Sequence, residues 1–202
     1  MKEKKLIILA SSSPRRKELL NRVSLDFKID PSEINEDKYT ADTPSELVKL
    51  LAKEKAKDVG RKYNNAIIIA ADTIVVCDDQ VLGKPKNKKD AFDMLEKLSG
   101  SEHLVYTGIA FNIIEDKTIE IISDLDYSIV KMRNYNNKEI NSYLNTGEYK
   151  DKAGSYAIQG YGSLLVEAIK GSYFTIMGFP VHKLAEILPE FNIDLYKKSK
   201  RT

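Results

Sequence analysis

The run AIIIAADTIVVCD, residues 66–78, constrains this chain more than any other stretch. It is nearly continuous in apolar, largely β-branched residues and has the length of a strand. Such a run belongs to a central strand covered on both faces, which in turn calls for helices on each side of a sheet. Inside it stands one carboxylate, Asp72, with Ala70 and Ala71 before it and Thr73 after it. An unpartnered carboxylate in a strand core costs several kcal/mol unless it is paired or holds a metal. Asp72 is therefore a candidate general base or metal ligand. The structural alternative is a buried Asp satisfied by backbone N–H groups.

The remaining chain alternates strands and helices. LIILA (residues 6–10) reads as a short buried strand, followed by SSSPRRKELL. Ser13 suits the N-cap, where its hydroxyl would take an orphan N–H, and Pro14 suits the first helical position. Arg15 and Arg16 then fall in the first turn, where cations oppose the helix dipole. That placement points to an anionic partner such as phosphate, the alternative being solvated arginines. TPSELVKLLAKEKAKDVG starts a second helix with Thr43 as cap and Pro44 behind it. Leu47, Leu50, Leu51 and Ala52 form its stripe, and Gly60 its end. KNKKDAFDMLEKLSG is an amphipathic helix with Ala91, Met94, Leu95 and Leu98 inward. LVYTGIAFNII and IEIISDLDYSIVKM form an antiparallel pair. NKEINSYLNTG is a helix, SLLVEAIKGSYFTIMG a strand–turn–strand hairpin around Lys170–Gly171, and PVHKLAEILPEF a last helix, with a basic tail fraying from about residue 196. The expected fold is one α/β domain over 1–202, a mixed central sheet flanked by helices.

Charge and cysteine content narrow the function classes. The 202 residues carry 32 basic and 30 acidic side chains, a net charge of +2. That balance disfavours stable nucleic-acid binding and leaves a small anion as the better partner for a local basic cluster. One cysteine, Cys77, excludes an intrachain disulfide and reads as a small buried hydrophobe. No apolar run approaches the roughly 20 residues that span a bilayer. The apolar part of MKEKKLIILASSSP is shorter than the ~7–15 residues of a signal peptide. The expected location is the cytoplasm.

Further candidates surround Asp72. Lys55 falls on the inner edge of the second helix, one turn past Leu51, and Lys84 follows Asp72 by a span that suits a hairpin. Ammonium groups suit phosphate oxygens and developing negative charge. Each lysine alone is more often a solvated surface group, and GKP lacks the glycines of a Walker loop. Glu36, in SEINED, could add a second carboxylate for a divalent cation, or be one of a solvated charge run. His103 and His182 have no zinc-motif spacing. In DKAGSYAIQGYGS, the glycines let backbone approach a ligand, and Gln159 carries a donor and an acceptor that could read a base edge. The alternative is a glycine-rich surface loop.

Together LASSSPRRKELL, AADTIVVCDDQVLGKP, KLSGSEHLVYTG and DKAGSYAIQGYGSLLVEAIKGSYFTIMGFPV resemble the Maf family of nucleoside triphosphate pyrophosphatases, once named for septum formation. The resemblance runs from about Leu6 to Leu188. It implies a fold similar to the inosine triphosphate pyrophosphatases (the Maf/Ham1 fold), a homodimer, and Mg²⁺- or Mn²⁺-dependent cleavage of a nucleoside triphosphate to monophosphate and pyrophosphate. It makes Asp72 the counterpart of the family's catalytic aspartate. Ser11, Arg16, Lys55 and Lys84 match phosphate-handling residues, Arg15, Thr73 and Gln159 specificity positions, and Glu36 the acidic-loop carboxylate. Glu36 and Asp72 would hold the metal. The intact DKAG-x-Y-x-IQG-x-G form resembles the branch acting on dTTP and UTP, with CTP and modified pyrimidine nucleotides as further candidates. Ser12 stands where many members have glycine. A different class of function, a non-catalytic nucleotide- or protein-binding regulator of division, would keep the arginines but has no need of a costly buried Asp72.

Overall fold

The computed structural model describes residues 5–116 and 118–196; the expected fraying of the tail falls almost wholly outside them. In chain order the elements are β1 (Leu6–Leu9), α1 (Pro14–Arg22), β2 (Lys28–Ile29), α2 (Pro44–Gly60), β3 (Asn65–Cys77), β4 (Gln80–Leu82) and α3 (Lys88–Leu98). There follow β5 (Glu102–Glu115), β6 (Thr118–Met132), α4 (Asn137–Asn145), β7 (Val166–Lys170), α5 (Tyr173–Ile176) and α6 (His182–Ile187). Among the described residues the strands form one mixed sheet in the order β2-β1-β3-β5-β6-β7, with β4 also paired to β3. This is the α/β architecture expected, a central mixed sheet flanked by helices. No helix among the described residues is long and apolar enough to cross a membrane.

The chain packs as two compact units. The first takes in the described residues up to Asp72, Thr107–Leu125, and those from Gly178 on. Here β1 pairs in parallel with β2 (Ile8↔Lys28) and with β3 (Leu6↔Ala66 to Leu9↔Ile69). Parallel neighbours need crossovers, and α1 and α2 supply them. The core joins Ile8, Ala52, Ala56, Val59, Ala66, Ile68, Ala70, Ala110 and Ile114. Each fully buried isoleucine stabilises the fold by about 1.5–3 kcal/mol relative to exposure. Thr43 caps α2 as expected, accepting from the Glu46 N–H. The buried stripe of α2 differs from the expected one: Val48, Leu51, Ala52, Ala56 and Val59 are buried, whereas Leu47 and Leu50 are only half-buried. Gly60 ends the helix as expected, and a Cβ there would lie 2.2 Å from Asn112 Nδ2. Its role is close approach, so that Asn112 can donate to the Ala56 carbonyl at 3.2 Å.

The second unit is Thr73–Tyr106 with Asp126–Met177. β3 and β4 make a tight hairpin, Cys77 facing Gln80, with Asp78 and Asp79 at φ 48° and 61° in the turn. Two left-handed turn residues match the twist of a two-residue hairpin. Leu95 and Leu98 of α3 are fully buried. Asn136 and Glu139 form a capping box at the start of α4. The expected second strand after Gly171 is instead the single turn α5. The Ser172 carbonyl accepts from Ser128 Oγ at 3.0 Å, and Thr175 Oγ1 donates to Asp126. These tertiary hydrogen bonds outweigh the β-propensity of YFTI.

Candidate functional site

The first unit gathers five of the residues singled out above: Ser11, Arg16, Glu36, Lys55 and Asp72. β1 ends at Leu9, and Ser11, 8% exposed, follows it. Ser13 is the N-cap as expected, but its hydroxyl does not make the expected bond. The Ser11 hydroxyl accepts from the Ser13 N–H at 3.2 Å and from Arg16 Nη1 at 3.1 Å. Arg16 also donates through Nε to the Gly178 carbonyl at 2.9 Å, so its guanidinium is held on two sides. Burial pushes the Arg16 pKa below its ordinary value; Asp72 opposes that fall, neighbouring Arg15 adds to it, and Glu36 opposes it. The arginine thus lies in the field of both carboxylates.

Asp72 is 7% exposed in the middle of β3. Its predicted need for a partner is met by Lys55 of α2, whose Nζ donates to Oδ1 at 2.6 Å. The same Nζ pairs with Glu36 Oε1 at 2.7 Å. Glu36 reaches it from a single 3₁₀ turn, residues Glu36–Lys38, capped by the Asn35 side chain. Two carboxylates therefore converge on one ammonium, one from the buried strand and one from a largely exposed loop. A Lys–Asp pair removed from water is stable only when geometry is good and both charges are engaged, as here.

A divalent cation fits this donor set. Glu36 and Asp72 already share a cation, the Lys55 ammonium, and their oxygens are the hard ligands that Mg²⁺ and Mn²⁺ take. Among the described residues no group of three or more His, Cys, Asp and Glu side chains could hold a metal. One or two carboxylates completed by phosphate oxygens and water is the usual magnesium environment.

The second unit begins at Thr73 and carries Lys84 and Gln159. The β3–β4 hairpin delivers the exposed Lys84 two residues beyond Leu82. The Gly83 carbonyl, just before Lys84, accepts from the Gly154 N–H at 3.1 Å, which ties that peptide to the loop carrying Gln159. This loop is no loose surface segment: Gly154–Ile158 are buried, and Gln159 is half-buried at the N-cap of a 3₁₀ turn, Gly160–Leu165. Tyr156 fixes it from within, its hydroxyl 2.7 Å from His103 Nε2. Burial pushes His103 down to about 4, so the ring is neutral near pH 7. Cys77 is buried and its thiol pushed up by burial, in keeping with a packing role.

Two anchors went unseen in the sequence. The Gly178 carbonyl holds Arg16 from 162 positions away, and a backbone carbonyl leaves no side-chain signal. The His103–Tyr156 pair lay in motifs already noted, but nothing in their spacing joined them.

The chain matches the Maf-like protein family model over residues 6–191. It is 47% identical over 194 residues to a dTTP/UTP pyrophosphatase of Clostridioides difficile, covering 94% of this chain and 97% of that one. It is 45% identical over 192 residues to a dTTP/UTP pyrophosphatase of Ruminiclostridium cellulolyticum, covering 95% and 98%. Among solved structures, a HAM1 protein from Coxiella burnetii aligns with TM-score 0.46 at 18% identity, over 93% of this chain and 100% of that one. With the family's pattern running through both units and relatives of its own length at nearly half identity, this chain belongs to the Maf family.

Proposed function

We propose that this protein hydrolyses dTTP and UTP, each in one step, to the monophosphate and pyrophosphate. The observation that carries the reading is the buried Asp72, held at 2.6 Å by Lys55, with Glu36 on the same ammonium and the Arg16 guanidinium in their field. The Lys55 pair makes a carboxylate tolerable in that strand, and in-line attack on a phosphorus needs such a positioned base among cations. The relatives' shared name, dTTP/UTP pyrophosphatase, supports the substrate class.

In this reading Asp72 orients a water and takes its proton through Oδ2, Oδ1 being engaged by Lys55. The water oxygen bonds to the α-phosphorus, the bond from that phosphorus to the bridging oxygen breaks, and pyrophosphate leaves. Arg16, Lys55 and Lys84 stabilise the charge that accumulates on the leaving group. Ser11 holds Arg16 in place through its hydroxyl. Arg15, Thr73 and Gln159 contact the nucleoside end, with Gln159 reading the pyrimidine edge. Glu36 and Asp72 hold Mg²⁺ or Mn²⁺, which when bound neutralises phosphate charge. CTP and modified pyrimidine nucleotides are further substrates in this reading. The location is the cytoplasm, as the single cysteine suits, and the family resemblance supports a homodimer.

Incubation with dTTP or UTP and Mg²⁺ tests the reaction. The expected products are dTMP or UMP and pyrophosphate in equal amounts, abolished by EDTA. Diphosphate with orthophosphate as first products contradicts it, and full activity in chelator removes the metal.

A further inference from the structure

The geometry points to Glu148 as the residue that positions Gln159 for the nucleotide. Glu148 lies beyond the end of α4, outside every motif residue assigned above. Its carboxylate accepts from two consecutive backbone N–H groups, Tyr161 to Oε1 at 3.2 Å and Gly162 to Oε2 at 2.7 Å. These belong to the first turn of the 3₁₀ segment that Gln159 caps, where N–H groups have no partner within the turn and an anion is well placed. Gly160, between them and Gln159, has φ +61°, and a Cβ there would lie 2.0 Å from Glu148 Oε1. The loop can close on the carboxylate only because that residue is glycine.

Gln159 is thereby held from both directions along the chain. Three residues before it, Tyr156 is fixed through His103. Two and three residues after it, the Tyr161 and Gly162 amides are fixed through Glu148. A side chain that must meet a base with one donor and one acceptor loses its contacts when its backbone shifts by about an ångström, so the support matters as much as the amide. Glu148 acts through Gln159; it is a positioning residue, and the inference rests on the proposal that Gln159 contacts the nucleotide.

The experiment is a double-mutant cycle in the full chain. Glu148→Ala, Gln159→Ala and the double variant are assayed for kcat and KM with dTTP, UTP and ATP, alongside melting temperature. Glu148→Ala is expected to raise KM for dTTP and UTP roughly tenfold, with a smaller fall in kcat. In the Gln159→Ala background the same substitution should leave KM unchanged, since the positioned group is gone. Glu148→Gln keeps one acceptor oxygen but sets its NH2 against the other backbone N–H, so it should raise KM by a smaller factor in the same direction; it replaces Glu148→Ala in the cycle if that variant does not fold. Independent, multiplying effects on KM overturn the inference, as does an equal fall in kcat on all three nucleotides with KM unmoved. The reading of Gln159 as base-selective fails separately, if Gln159→Ala lowers efficiency equally on dTTP, UTP and ATP. Coupling in KM between positions 148 and 159 would still support the positioning role.

Discussion

Lys55 Nζ stands 2.6 Å from Asp72 Oδ1, and both side chains are shielded, at 11% and 9% exposure. One comes from a helix, the other from the strand whose apolar run defines the sheet. Each makes the other tolerable: the carboxylate needs a cation to lie in β3, and the ammonium needs an anion to lie against it.

Lys55→Met should therefore do two things. Removing one partner of a buried pair costs about 3–5 kcal/mol, because the other charge is left uncompensated. Urea unfolding at pH 7 should show a loss of that order, together with a large fall in turnover. A loss below about 1 kcal/mol, the size of a surface ion pair, would mean that the Lys55–Asp72 contact contributes little.

Asp72 was legible because a strand covered on both faces is written as an unbroken apolar run, against which one carboxylate stands out. The α2 cap was legible too, since Thr43 and Pro44 act locally. What was not legible was set by distant partners. Ser13 takes the N-cap position expected of it but makes no side-chain cap bond, and its N–H goes to the Ser11 hydroxyl, which also accepts from Arg16. Gly60 ends α2 as its sequence indicates, but that a side chain there would meet Asn112 on β5 has no local signal. The YFTI segment has strand propensity and is helical because Ser128 and Asp126 hold it. The meeting of Glu36 with Lys55 depends on tertiary folding that no local spacing encodes. For Thr73, Lys84 and Gln159 the residues alone left a role open, and the family resemblance supplied it.

Stability should fall in acid through His103. Its pKa is lowered by burial from an ordinary 6.5 to about 4. Between those values the unfolded chain takes up a proton that the folded one refuses, so stability declines as pH drops from about 6.5 to 4 and this contribution levels off below. At about 1.4 kcal/mol per pKa unit the loss is on the order of 3 kcal/mol. Urea melts of wild type and His103→Asn at pH 7 and pH 4.5 should show a smaller acid loss in the variant. Equal losses would assign the acid sensitivity to other groups.

Gln159→Ala should lower kcat/KM on dTTP and UTP by about 5- to 150-fold, the equivalent of one buried hydrogen bond left unmade. The gap between pyrimidine and purine triphosphates should narrow. Steady-state assays on dTTP, UTP, ATP and GTP decide it, and parallel losses on all four would leave Gln159 as a brace for its loop.

The central claim is that Asp72 is buried beside Lys55 for chemistry, and Asp72→Asn tests it most directly. The amide keeps the shape of the carboxylate but cannot take a proton from water and is a poor ligand for a hard cation. Pyrophosphate release from dTTP with Mg²⁺ should fall by at least the ~10²–10⁴-fold that loss of a general base brings, while circular dichroism and cooperative melting show a folded protein. A variant that melts like the wild type and turns over within a few-fold of it would make Asp72 a structural residue and contradict the account.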